Sequence, residues 1–319
     1  MEDFDIPKLK EDGANVIFCS HAKAREPLAQ LLTEIDSIEW VHSRSAGIDY
    51  ITSEALAHSA SASASPSRGV IVTNAKGSFS STLAEYTMMA ISYFAKDLPR
   101  LMRQKKDRNW GKYCVEEIRF KTLGIIGFGD IGRACAKLAK AYGMNVTALR
   151  RNPQKSAAGS GDDELCDVVY PSDKASLHRL MSESDYILCA LPLTAATKGM
   201  IDKEAFDHAK SNSVFINVGR GPIVDEDALI DALKRGSESE SESESGGCLK
   251  GAALDVFATE PLPVDSELWS LDNVLMSPHN MDATETFMHE AADFFLEENL
   301  PRFLRGENLL NPVDQAAGY

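Results

Sequence analysis

One glycine pattern constrains this chain more than any other feature. The apolar run Leu123-Gly124-Ile125-Ile126 reads as a buried strand, and Gly127-Phe128-Gly129-Asp130-Ile131-Gly132 follows it at once. Ile131, Ala134, Cys135, Leu138 and Tyr142 then fall on one helical face, and a second apolar run, Asn145–Leu149, comes next. Strand, glycine turn, helix and strand form the opening unit of a doubly wound α/β fold. In that context each glycine has a physical task. Gly127 permits a tight turn, Gly129 lets backbone approach a pyrophosphate, and Gly132 lets the helix lie close against the strand. The first helical residues, Asp130 and Ile131, offer N–H groups at the positive end of the helix dipole. The pattern therefore predicts a bound dinucleotide.

The rest of the chain continues the alternation. Strands are expected at Asn15–Cys19 and Gly69–Thr73, with a short run at Glu39–His42 between them, and helices at Pro27–Leu32 and Ser81–Phe94. After the fingerprint come Tyr186–Leu191, Val214–Val218, Ala252–Val256 and Val274–Met276, which makes six strands in the middle segment. Thr284–Phe303 reads as one long amphipathic helix. With 319 residues, 44% of them hydrophobic, the chain has material for about two domains. The expected fold class is α/β, with two Rossmann-like doubly wound domains. Residues 1–96 would form a smaller, flavodoxin-like substrate domain, and 97–283 a dinucleotide-binding domain inserted in it. Residues 284–319 would be a C-terminal helix returning to the first domain. Two low-complexity stretches, Ser59–Ser67 and the Ser-Glu repeat Ser237–Ser245, read as surface insertions, since neither composition can fill a core. Phosphorylation of the repeat's serines is the alternative to a plain solvated loop.

The residues after the second strand bear on which dinucleotide binds. An acidic residue there would hold the ribose 2′-hydroxyl of NAD, whereas this chain has Leu149-Arg150-Arg151-Asn152. Arginines hold a 2′-phosphate with charge-assisted hydrogen bonds, so NADP(H) is the preferred cofactor and NAD(H) the alternative.

A net charge of −15 repels phosphate backbones and anionic lipid, so nucleic acid is not an expected partner. There is no membrane-length apolar run, no basic-then-apolar leader and no C-terminal sorting signal, so no membrane partner is expected; the cysteine usage suits a reducing, hence cytoplasmic, compartment. Cys19, Cys114, Cys135, Cys166, Cys189 and Cys248 are scattered without a Cys-x-x-Cys pair and read as reduced structural thiols; no metal is expected.

Three further segments complete the pattern: Val214-Phe215-Ile216-Asn217-Val218-Gly219-Arg220-Gly221-Pro222-Ile223-Val224-Asp225-Glu226, then Gly251–Pro263, then Asn273-Val274-Leu275-Met276-Ser277-Pro278-His279. With Ser45-Ala46-Gly47-Ile48-Asp49 and Ser81–Glu85, this ordered set resembles the D-isomer-specific 2-hydroxyacid dehydrogenase family, and the resemblance covers most of the chain. It implies that Arg220, Glu260 and His279 are catalytic, with Arg220 and His279 also binding substrate. It implies further that Ala46 and Gly47 bind the substrate carboxylate through backbone amides. Asp255 would face the nicotinamide carboxamide, the Val218 and Gly219 backbone would lie near that ring, and Leu191, Pro192 and Thr197 would flank adenine and ribose. These roles suit the chemistry. A planar guanidinium holds a carboxylate and polarises a carbonyl. A histidine beside a carboxylate keeps the proton that the carbonyl oxygen needs.

The implied activity is reduction of a small 2-keto acid, of glyoxylate or hydroxypyruvate type, with NADPH. The alternatives are an NAD-linked D-2-hydroxyacid dehydrogenase and a non-enzymatic dinucleotide-sensing corepressor. The family often dimerises through the region of Trp110 and the basic stretch Arg103–Arg108, so a homodimer is expected. His21, His42, His58, His178, His208 and His289 match no motif and read as structural or surface residues.

Overall fold

A computed structural model of the chain describes residues 4–20, 24–48, 51, 69–152, 164–238 and 247–314. Ser59–Ser67, residues 239–245 of the Ser-Glu repeat, Asp49, His21 and His58 lie outside them. The chain forms two compact units, Met1–Ser78 with Thr284–Tyr319, and Phe79–Ala283. Among the described residues no helix is long and apolar enough to cross a membrane, and no group of three or more His, Cys, Asp or Glu could hold a metal ion.

In the first unit, β1 (Val16–Cys19), β2 (Trp40–Ser43) and β3 (Ile71–Asn74) pair in parallel in that order. The helix Arg25–Glu34 buries Leu28, Leu31 and Leu32, spaced three and one apart on one face, in a core with Val41 and Val72. The C-terminal segment covers the same sheet. Phe295 stacks on Trp40 at 5.0 Å, Phe303 lies 5.2 Å from Trp40, and Phe294 lies 5.8 Å from His42. The single helix expected from Thr284 begins instead at Phe287 and passes through a π-helical stretch, Phe294–Asn299, before Leu300–Leu304. Pro301 supplies the reason, because it has no N–H to give and its ring crowds the carbonyl one turn earlier.

His42 is fully buried in this aromatic cluster. Trp40 Nε1 donates to Thr73 Oγ1 (2.8 Å), and the same hydroxyl hydrogen-bonds His42 Nδ1 (2.7 Å). Burial pushes the imidazole down to about 4. A histidine held neutral in the fold but ordinary when unfolded stabilises fully above its unfolded value near 6.5, and that stability drains away as pH falls toward 4. The drop amounts to about 3 kcal/mol over this window. In His42→Gln, thermal unfolding midpoints should fall less between those two pH values than in the parent; equal falls would count against the buried neutral ring.

The second unit holds a parallel sheet of β4 (Thr122–Ile126), β5 (Asn145–Arg150), β6 (Val168–Pro171), β7 (Tyr186–Cys189), β8 (Ser213–Asn217), β9 (Leu249–Leu254) and β10 (Val274–Met276), ordered β10-β9-β8-β7-β4-β5-β6. The sequence led to six strands; the seventh is β6. It is an edge strand with no fully buried residue, so it lacks the unbroken apolar run by which doubly covered strands such as β7 and β8 are legible. The helix Ser80–Ala95 shares this unit's core, with Leu83, Tyr86, Ala90, Ile91 and Phe94 among Leu123, Cys135, Ala139 and Val214. The charged stretch that follows is a helix, Leu98–Asp107, which Asp97 caps by accepting from Arg100 N (3.2 Å) and which buries no residue. No disulfide joins the six cysteines, and Cys19, Cys135, Cys166 and Cys189 are buried.

Candidate active site

Because all seven strands run in one direction, the loops that follow them leave the sheet at one edge. The strand order reverses at β4, which has β5 on one side and β7 on the other. A crevice opens at the carboxyl ends of such a pair, and open α/β sheets bind ligands there. The fingerprint follows β4, the Leu191–Thr197 loop follows β7, and Arg220, Asp255 and His279 follow β8, β9 and β10.

The fingerprint has the shape of a phosphate cradle. Gly127 adopts a left-handed φ of 106°. A Cβ at Gly132 would sit 2.4 Å from the Gly127 carbonyl oxygen, so helix and turn touch backbone to backbone. At Gly129, by contrast, nothing described lies within 4 Å of a Cβ position. Gly129 is also the N-cap of the helix Asp130–Ala141, and no side chain caps that end. Open space above uncapped N–H groups at the positive end of a helix fits a pyrophosphate. Gly127 N donates to Leu149 O (3.3 Å), which ties the turn to β5, whose last residue is the half-buried Arg150; Arg151 beyond it is exposed. On the other side, Thr197 Oγ1 donates to Pro192 O (2.7 Å) and accepts from Thr194 N (2.8 Å), closing the loop that carries Leu191 and Pro192. A Cβ at Gly219 would lie 2.7 Å from Leu191 O, so the turn after β8 abuts that loop.

At the other end of the row lies the reactive cluster. Glu260 Oε1 accepts from Phe257 N (3.0 Å), and Oε2 meets His279 Nδ1 at 2.7 Å, with the two side chains 36% and 38% exposed. A carboxylate partner assigns the hydrogen to Nδ1 and leaves Nε2 for substrate. The hydrogen bond to Glu260 outweighs burial and raises His279 above its ordinary range. For Glu260, burial alone would favour the neutral acid, but the bonds from His279 and Phe257 hold its carboxyl below the usual range. Arg220 acts on both, favouring ionised Glu260 and opposing a second positive charge on His279. Its Nη1 donates to Gly219 O (2.9 Å). His279 itself has a left-handed φ of 50°, uncommon for a residue with a Cβ, and such strain persists where surroundings over-determine it.

Asp255 supplies those surroundings. It is 2% exposed, and burial raises its pKa. Its Oδ1 accepts from Ser277 Oγ (2.8 Å), Asn280 N (3.1 Å) and Met281 N (3.4 Å), so one oxygen binds the chain on both sides of His279. The sequence offers Asp255 as a cofactor contact and gives no role to Ser277. A polar residue just past a strand and next to a catalytic motif was the available signal. Ala46 and Gly47 belong to the first unit, half-buried after β2, where Asn74 Nδ2 donates to Ala46 O (2.8 Å).

The D-isomer specific 2-hydroxyacid dehydrogenase, NAD binding domain, matches residues 88–280. A D-3-phosphoglycerate dehydrogenase from Methanocaldococcus jannaschii is 32% identical over 311 residues, 97% of this chain but 53% of its own, so the chain spans about half that relative's length. A glyoxylate/hydroxypyruvate reductase B from Erwinia tasmaniensis is 35% identical over 255 residues, 77% of this chain and 73% of its own. An NADPH-dependent glyoxylate/hydroxypyruvate reductase from Sinorhizobium meliloti, solved with NADP and sulfate, superposes with a TM-score of 0.72 at 25% identity, covering 98% of this chain and 90% of that one. The chain belongs to the D-isomer specific 2-hydroxyacid dehydrogenase family of nicotinamide-dependent oxidoreductases, and its fold is a parallel-sheet α/β architecture with a Rossmann-type NAD binding domain.

Proposed function

We propose that the protein reduces a small 2-keto acid, of glyoxylate or hydroxypyruvate type, to the D-2-hydroxy acid with NADPH. The observation that carries this reading is the His279–Glu260 pair at 2.7 Å with Arg220 close enough to shift both. Arg220 binds the keto acid's carboxylate and polarises its carbonyl. His279, kept protonated by Glu260, gives the Nε2 proton to the carbonyl oxygen. The bound nicotinamide supplies the hydride to the carbonyl carbon. Gly127, Gly129, Asp130, Ile131 and Gly132 would hold the pyrophosphate, Leu191, Pro192 and Thr197 the adenosine side, and Val218, Gly219 and Asp255 the nicotinamide side. The glyoxylate/hydroxypyruvate reductases among its relatives support the substrate class, and the NADP in the Sinorhizobium structure supports the cofactor.

A panel of 2-keto acids, each assayed for loss of NADPH and NADH absorbance, tests this directly. Turnover of glyoxylate or hydroxypyruvate is the expected result; no turnover with any keto acid would refute it. Arg150 reads the 2′-phosphate. Arg150→Asp should therefore lower kcat/KM for NADPH by about 10- to 100-fold and narrow the gap to NADH. An unchanged NADPH-to-NADH ratio would remove Arg150 from that role.

The working form is a cytoplasmic homodimer in this reading. Trp110 is 93% exposed, and Met102 (66%), Leu101 (43%) and Val115 (54%) are exposed on and after the same helix. A second copy covering this apolar arm would remove it from water. Light scattering should give twice the mass of one 34.8 kDa chain; a monomer would reject the dimer.

A further inference from the structure

We infer that Asn217 is a positioning residue that aims Arg220, an inference that rests on the reading of Arg220 as the group that binds the keto acid. Asn217 ends β8 and is 2% exposed. Its side chain spans the next three residues. Oδ1 accepts from Gly219 N (3.0 Å) and Nδ2 donates to Arg220 O (3.3 Å). The two backbone partners fix the orientation of the amide, since an N–H only donates and a carbonyl only accepts. The main chain of Asn217 is held as well, for its carbonyl accepts from Asp255 N (3.1 Å) on β9's extension. One buried amide thus locks Val218-Gly219-Arg220 into a single turn, and the turn sets where the Arg220 side chain begins.

Only asparagine meets this geometry. Aspartate has the same shape and keeps the acceptor for Gly219, but it sets a carboxylate oxygen against the Arg220 carbonyl. Alanine removes both bonds. Neither substitution touches the guanidinium, so a loss that vanishes in the absence of Arg220 would pass through the placement of Arg220, whereas a loss through Val218 and Gly219 would persist.

The test is a double-mutant cycle on the full chain, with glyoxylate and NADPH, alongside thermal unfolding of each variant. Arg220→Ala should abolish most of kcat/KM. Asn217→Ala and Asn217→Asp should each lower kcat/KM by about 10- to 100-fold, chiefly through a raised keto-acid KM. In the Arg220→Ala background, Asn217→Ala should cost less than about threefold more, because the residue it serves is gone. A fully additive double variant, undiminished activity in both Asn217 variants, or loss of folding in both would each overturn the inference. If Arg220→Ala itself keeps its kcat/KM, the reading of Arg220 fails first, and that result is distinct from the others. Should only Asn217→Ala fail to fold, the isosteric Asn217→Asp decides.

Discussion

His279→Gln should lower kcat for keto-acid reduction by about 10³-fold and leave the affinity for NADPH within about twofold. The size follows from the role. Glutamine retains a polar group of similar reach, but it carries no transferable proton, so the developing alkoxide finds no acid. Affinity for the dinucleotide should survive because the phosphate cradle lies after β4, at the switch point, with β7, β8 and β9 between it and β10. The pH profile of the parent carries the same message. The hydrogen bond to Glu260 raises His279, so the reactive imidazolium is the main form below that raised value, and reduction falls as pH climbs through it. In Glu260→Gln the carboxylate is gone, and the falling limb should move to lower pH. Steady-state rates with saturating NADPH from pH 5 to 10 would show it; a limb that stays put would mean that another group sets it.

Arg220→Lys should cost about 100-fold in kcat/KM, with a rise in keto-acid KM as the visible part. Lysine keeps the charge. What it lacks is a planar pair of N–H groups able to meet a carboxylate and a neighbouring carbonyl together. If charge alone mattered, the lysine variant would stay within a few fold of the parent, and kinetics in both substrates would reveal that. Because Arg220 also opposes protonation of His279, its removal altogether should raise the histidine further, which a cationic lysine would partly prevent.

Much of this site was visible in the chain because its parts sit where strands end. Buried parallel strands are written as unbroken apolar runs, and the residues just past them stand out against that background. Arg220 after Val214–Val218 and His279 after Val274–Met276 were legible for that reason, as was the glycine turn after β4. The pairing of His279 with Glu260 was legible only through resemblance to a family, since the two stand 19 positions apart with β10 between them. Other features were hidden for physical reasons. β6 is half-exposed at the edge of the sheet and carries no periodic signature. The π-helical stretch arises from a proline placed late in an otherwise regular amphipathic pattern. Asn217 and Ser277 look like ordinary turn formers, and their work appears only when hydrogen-bond directions are known. The convergence of three donors on Asp255 Oδ1 from the histidine's own loop was likewise illegible in the chain.

The parallel sheet also divides the molecule's tolerance for change. The Ser-Glu repeat joins the helix Glu226–Glu238 to β9, and the described flanks of that join lie at the amino-terminal edge of the strands. There Gly236 lies so close to Leu249 that a Cβ would meet its carbonyl oxygen at 1.8 Å. Every residue with a chemical role in the second unit leaves by the opposite edge. Length can therefore accumulate at one rim of the sheet while the reacting groups at the other keep their register, which is how the interval between Arg220 and Glu260 can stretch along the chain without stretching in space.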